Sequence, residues 1–236
     1  MKLTLALQLI QNMGARYISY RVQHEFEKRF GFLKKKHPVH PPLKSFITLD
    51  AWRKNTPSFV IAERELLTFP KGKNPSLKDN FERIYNGEVC FFSHEWKNIG
   101  LEYDWITNPD SGYRYDVSKH WSEISDLNPT NGDIKYVWEK SRFSYLLTVI
   151  RYDYNFYQDH AEFVFSEIES WIAANPINQG PNWRCSQEIS LRIFNWCYAL
   201  TFYKNSEALT EERWIKIQHV IYWSLHHVYH HINFSR

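Results

Sequence analysis

The chain has 236 residues, 43% hydrophobic and 23% charged, the proportions of an ordinary globular protein with enough length to bury a core in one large domain or two small ones. Its 29 basic and 26 acidic residues leave a formal charge of +3, too small a surplus to argue for a nucleic-acid surface, though it neither demands nor excludes an acidic polysaccharide. Three cysteines, Cys90, Cys185 and Cys197, are too few and too far apart for a disulfide framework or a zinc site, and no stretch is apolar enough to cross a membrane.

The start, "MKLTLALQLIQNMGARY", carries one early lysine, and its apolar run is interrupted by Gln8. Without a small-residue cleavage site it reads as mature protein rather than a signal peptide. Apolar residues at Leu3, Ile10, Met13, Tyr17 and Tyr20 predict a helix to about Phe30, closed by Gly31. The proline-rich "LKKKHPVHPPLKS" predicts a loop or extended connector with a solvated lysine run. Residues 44–130 are the least regular part and predict a segment that wraps across helices. Within it, Ser76–Tyr85 reads as a short helix stopped by Gly87, and "EVCFFSHEW" as a strand. Turn chemistry stands at Asn108-Pro109 and Ser111-Gly112.

After Gly132 the periodicity predicts helical blocks at Ile134–Tyr154, Asp159–Ala174, Cys185–Tyr203 and Thr210–Phe234. Thr210 is placed to cap the last, with Glu211 and Glu212 where the helix dipole favours acids. Short connections predict antiparallel hairpins, and a succession of such pairs predicts an all-α ring or solenoid.

The third block carries Glu188, Arg192 and Asn195 along one narrow stripe of an otherwise apolar helix. A Glu188–Arg192 pair at i, i+4 can brace an interior; equally, the stripe can line a polar cleft with Arg192 turned to a ligand carboxylate or sulfate. Trp138, Glu139, Arg142 and Tyr145 mix an aromatic plate with an acid and a base, as a sugar site does, although a half-exposed helix with an ion pair explains them too. Asn178, Gln179, Asn182 and Trp183 cluster in the turn-rich loop before the stripe, as a ligand rim or as capping residues. His226, His227, His230 and His231 have spacings a metal site uses, but no nearby acid or cysteine completes a ligand set, so no metal is expected there. No cofactor-binding fingerprint is present.

Taken together, "MGARYISYRVQHE", "DWITNPDSGYRY", "KHWSEI", "GDIKYVWEKSRF", "NPINQGPNWRCSQEISLRIFNW" and "HHVYHHINFSR" resemble the N-terminal region of the heparinase II/III-like polysaccharide lyases, across most of residues 13–236. The nearest likeness is to members found with bacterial capsule or exopolysaccharide genes. The resemblance implies an (α/α) toroid of antiparallel hairpins, here incomplete, with residues 1–130 as a wrapping segment behind the N-terminal helix and 131–236 as toroid helices. It implies cleavage of a uronate-containing polysaccharide by β-elimination, without cofactor or metal, in a bacterial cytoplasm or periplasm. The family's catalytic Asn, His and Tyr have no counterpart in these residues, so the expectation is an inactive N-terminal part of a lyase. The implied partners are an acidic polysaccharide and the remaining toroid and β-sandwich of the same protein, with neither nucleic acid nor membrane. Its implied substrate contacts are Trp138, Glu139, Arg142, Asn182, Trp183, Glu188 and Arg192. A non-catalytic carbohydrate-binding helical domain and a protein-binding helical scaffold are the alternatives.

Overall fold

The structure, a computed structural model, describes residues 14–55, 64–72, 74–125 and 127–231. It is mostly helical, as expected, and its strands among the described residues form two separate two-stranded hairpins. Helix α1 (Ala15–Arg29) ends at Phe30, and Gly31, at φ 76°, turns the chain into the short α2 (Phe32–Lys36). The part of the first predicted helix before Gly14 lies outside the described residues. Two short helices, α2 and α3 (Leu49–Asn55), stand where a loop or irregular chain was expected. The prolines confine the extended stretch to the residues between them.

Helix α4 (Pro75–Tyr85) begins as its sequence dictates: the Asn74 side chain accepts from Leu77 N–H, and Pro75 occupies the first turn, where no amide is needed. Strand β1 (Glu88–Phe91) pairs antiparallel with β2 (Glu95–Asn98), register Glu88 to Asn98 and Phe91 to Glu95. A second pair, β3 (Leu127–Asn128) and β4 (Gly132–Asp133), is two residues long. Then come α5 (Lys135–Ser141), α6 (Leu146–Phe156), α7 (Ala161–Ala174), α8 (Ser186–Phe202) and α9 (Glu211–His231). Thr210 caps α9 as predicted, its Oγ1 accepting from Arg213 N–H at 3.3 Å.

The predicted continuous block Ile134–Tyr154 is two helices. Phe143 adopts φ 60°, the left-handed region that a bulky residue seldom enters, and splits α5 from α6. What holds it there is burial: its ring is inaccessible to solvent, stacks on Trp105 at 5.2 Å and meets Trp196 edge-on at 5.5 Å. No glycine or proline marks this corner in the sequence, because tertiary packing makes it.

Helix α8 packs on α6 and α9, α9 also on α7, and α4 on α6. Among the described residues five indoles, Trp105, Trp121, Trp171, Trp183 and Trp196, are fully buried, and Trp138, Trp214 and Trp223 nearly so, which accounts for much of the aromatic excess. Burying a large apolar side chain stabilises by roughly 1.5–3 kcal/mol. Residues 44–49 form a strap across α9: Gln218 accepts from Phe46 and Ile47 N–H and donates to Ile47 O and Ser45 Oγ, His219 Nδ1 accepts from Lys44 N–H, and Glu211 accepts from Leu49 N–H. All three cysteines stand as free thiols. No described helix is long and apolar enough to cross a membrane.

Candidate functional site

The residues singled out in the sequence converge on the α5–α6 corner and the loop that enters α8. Arg142, at the end of α5, projects its guanidinium between two carboxylates. Its Nε and Nη2 donate to Glu188 at 2.5 and 3.0 Å, and its Nη1 donates to Glu139, one turn earlier. The expected partner of Glu188 was Arg192, its neighbour on the same helix. Arg142 takes that place because the left-handed corner turns it toward α8. Asn195, the third member of the stripe, donates Nδ2–H to Arg142 O at 2.8 Å, satisfying a carbonyl that the helix break exposes. Glu188 and Asn195 therefore grip one residue, by side chain and by backbone.

Arg192 points elsewhere. It is fully buried, its guanidinium lies 4.0 Å from the Trp171 ring centre and 5.8 Å from that of Trp183, and its Nη2 donates to Asn182 O at 3.1 Å. Burial lowers its pKa, against which the Glu188 charge acts. The stacked indoles supply cation–π attraction in place of a carboxylate. Asn182 is buried too, donating to Trp105 O and Asn175 Oδ1, and Trp138 Nε1–H donates to Pro181 O. Trp138, Asn182, Trp183, Glu188 and Arg192 thus lie in the interior and hold the loop, while Glu139 and Arg142 reach solvent, their side chains 12% and 21% exposed. Asn178 and Gln179 tie the same loop to earlier chain: Asn178 donates to Pro38 O, Gln179 to Ser118 O. Tyr145 donates to Glu167, which also pairs with the buried Lys140 at 3.1 Å. Beside them lies a cavity of about 20 Å³, the room of one water.

One contributor went unread in the sequence. The tip of the β1–β2 hairpin places Phe92 and Ser93 at φ 50° and 66°, and the Phe92 amide faces the Glu139 carboxylate and favours its charged form. Strained backbone of this kind clusters at functional sites. Where the sequence predicts one short strand over "EVCFFSHEW", the structure has two strands and the turn between them.

With two carboxylates around one guanidinium, the rim carries an excess negative charge when both are ionised. Burial pushes the Glu139 carboxyl above its ordinary value; Arg142 opposes that rise and the Glu188 charge adds to it. A protonated Glu139 turns the rim from an acceptor into a donor beside the guanidinium, the pairing a carboxylate ligand needs. Among the described residues no group of three or more His, Cys, Asp or Glu is placed to hold a metal ion. No family model matches the chain, and neither a curated protein nor a solved structure matches it.

Proposed function

We propose that the chain is the N-terminal helical portion of a polysaccharide lyase acting on a uronate-containing polymer, and that its helices form part of an (α/α) toroid. What supports this reading, beyond the sequence likeness, is that motifs distant in the chain meet in one braced cluster with a polar rim of Glu139, Arg142 and the Phe92 amide. In β-elimination the uronate carboxylate is neutralised, a base removes the proton on the neighbouring carbon, and an acid protonates the departing glycosidic oxygen. The rim suits the first of these tasks: Arg142 keeps N–H donors on Nη1 and Nη2 beyond those given to the glutamates, and a protonated Glu139 adds an O–H. The base and the acid are assigned to no residue of this chain.

The test is calorimetric titration with uronate oligosaccharides, neutral oligosaccharides of equal length serving as control, alongside an ultraviolet assay for unsaturated uronate product. The expected outcome is binding of the uronate series without product. Arg142→Ala should abolish it, and Glu139→Gln, which mimics the protonated acid, should retain it where Glu139→Ala does not. Equal affinity for neutral and acidic sugars, or uronate binding indifferent to Arg142, overturns the assignment of the rim.

A further inference from the structure

Around the C-terminal half of α9 the fold gathers imidazoles from four parts of the chain. His226, His227, His230 and His231 come from α9, His37 from the chain after α2, His24 from α1 and His120 from the turn before Trp121. The His37 ring centre lies 4.8 Å from that of His227 and 5.5 Å from that of His226; His24 is 5.2 Å from His231. Trp121, fully buried, contacts His227 at 4.8 Å, His231 at 4.6 Å and His37 at 5.5 Å. His37 and His227 are both 0% exposed, and neither ring nitrogen of either has a hydrogen-bond partner among the described residues. Four ring nitrogens left without a protein partner in a buried setting are a cost that most folds avoid.

We propose that this cluster is an acid-opened latch: neutral imidazoles clamp the N-terminal segment, residues 14–49, onto α9, and their protonation releases it. The geometry leaves a new proton no favourable place. Facing the cluster from α1 are Arg21, Glu25 and Lys28, from α2 Lys34 and Lys36, from the Trp121 turn Glu123, from the loop before α8 Arg184, and from α8 Arg192. Six of these eight groups are cationic, and the two carboxylates act on the peripheral His24 and His120 rather than on His37 or His227. Farther along α9, His219 accepts the Lys44 amide through Nδ1, and a proton there removes the acceptor. Burial, reinforced by neighbouring charges, holds His37 down to about 2 and His231 to about 3, and drives His227 well below its ordinary value.

The sign follows from linkage. Released imidazoles ionise near pH 6.5, so the clamp is intact above that pH and weakens as pH falls below it. Each histidine kept neutral when closed multiplies the open-to-closed ratio about tenfold per pH unit, so His37 and His227 together shift it by more than about a thousandfold from pH 6.5 to 4.5. His120 Nε2–H donates to His37 O (3.0 Å), and Asn178 donates to Pro38 O, so opening also frees the loop that carries Asn182 and Trp183.

The experiment is hydrogen exchange read by mass spectrometry on the whole chain at pH 7.5, 6.0 and 5.0, corrected for intrinsic exchange, with the metal content measured on the same sample. Protection of residues 14–49 should fall with acid while α6–α8 stays protected. His37→Phe, which fills the site without titrating, should flatten that dependence, and His230→Phe, at an exposed position, should leave it. Protection of residues 14–49 that tracks α6–α8 down to pH 5.0 overturns the latch. So does an unchanged pH dependence in both His37→Phe and His227→Phe, or stoichiometric zinc, which would assign the imidazoles to a metal.

Discussion

At the scale of single residues, the stripe on α8 resolves into two separate devices. Glu188 answers a cation from another helix, and Arg192 lies between indoles with its charge held by Trp171 and an Asn182 carbonyl. Glu188→Ala should destabilise by about 1.5–3 kcal/mol, because Arg142 loses two charge-assisted hydrogen bonds in a half-buried setting. The check is a double-mutant cycle with Arg142→Ala in urea; a coupling near zero would deny the pair. At Arg192 the packing dominates over the charge. Arg192→Ala should cost about 3–5 kcal/mol, the range for a large truncation in a packed core, whereas Arg192→Met should recover most of that by refilling the slot without a buried ion. Similar losses in both variants would show that the guanidinium itself is required. The sequence made these residues conspicuous but not their partners. Periodicity relates neighbours on one helix, and Arg142 is 46 positions from Glu188.

Among the elements, the informative one is the corner between α5 and α6. Phe143→Ala should cost about 3–5 kcal/mol through the cavity left against Trp105 and Trp196. Phe143→Gly should cost no more despite removing a further carbon, since glycine takes φ 60° without the steric penalty. Chemical denaturation of the two variants compares them directly, and a clearly worse glycine would mean the left-handed backbone carries no strain. The helices with local signals were legible: α4 from its Asn-Pro start and the glycine after it, α7 and α8 from periodicity, α9 from Thr210. The corner was not, because residues 134–154 have helical character throughout and only the burial of one ring, set by distant tryptophans, decides where the helix breaks. The strap was equally hidden, since a proline-rich stretch announces extension without naming what it lies on.

For the molecule as a whole, the histidines set a direction for acid stability. His37, His227 and His231 are held neutral in the fold and ionise in the unfolded chain, so stability is retained above about pH 6.5 and falls as pH drops below it. Urea midpoints should decline steadily from pH 7.5 to 5.0. The Arg213 clamp joining α7 to α9 should contribute little to that decline, because Glu162, held at about 2 in the fold by its hydrogen bonds, is also largely ionised in the unfolded chain down to about pH 5. A midpoint that is flat over this range, or a decline that is lost in Arg213→Ala and kept in full in His37→Phe, would contradict the assignment.

The strap on α9 has a consequence for how the chain is made. Its hydrogen bonds join residues 162 to 175 positions apart, so they form only after α9 exists. A ribosome delivering roughly 5–20 residues per second releases the strap many seconds before its binding surface. During that interval Phe26, Phe30 and Phe32 of the leading segment, exposed even in the finished fold, have no strap or latch to hold them in place. Synthesis therefore runs with a sticky, tethered leader until the last helix captures it, and slowing translation between codons 50 and 210 should lengthen that exposure and raise the yield of aggregate, while slowing it before codon 50 should not.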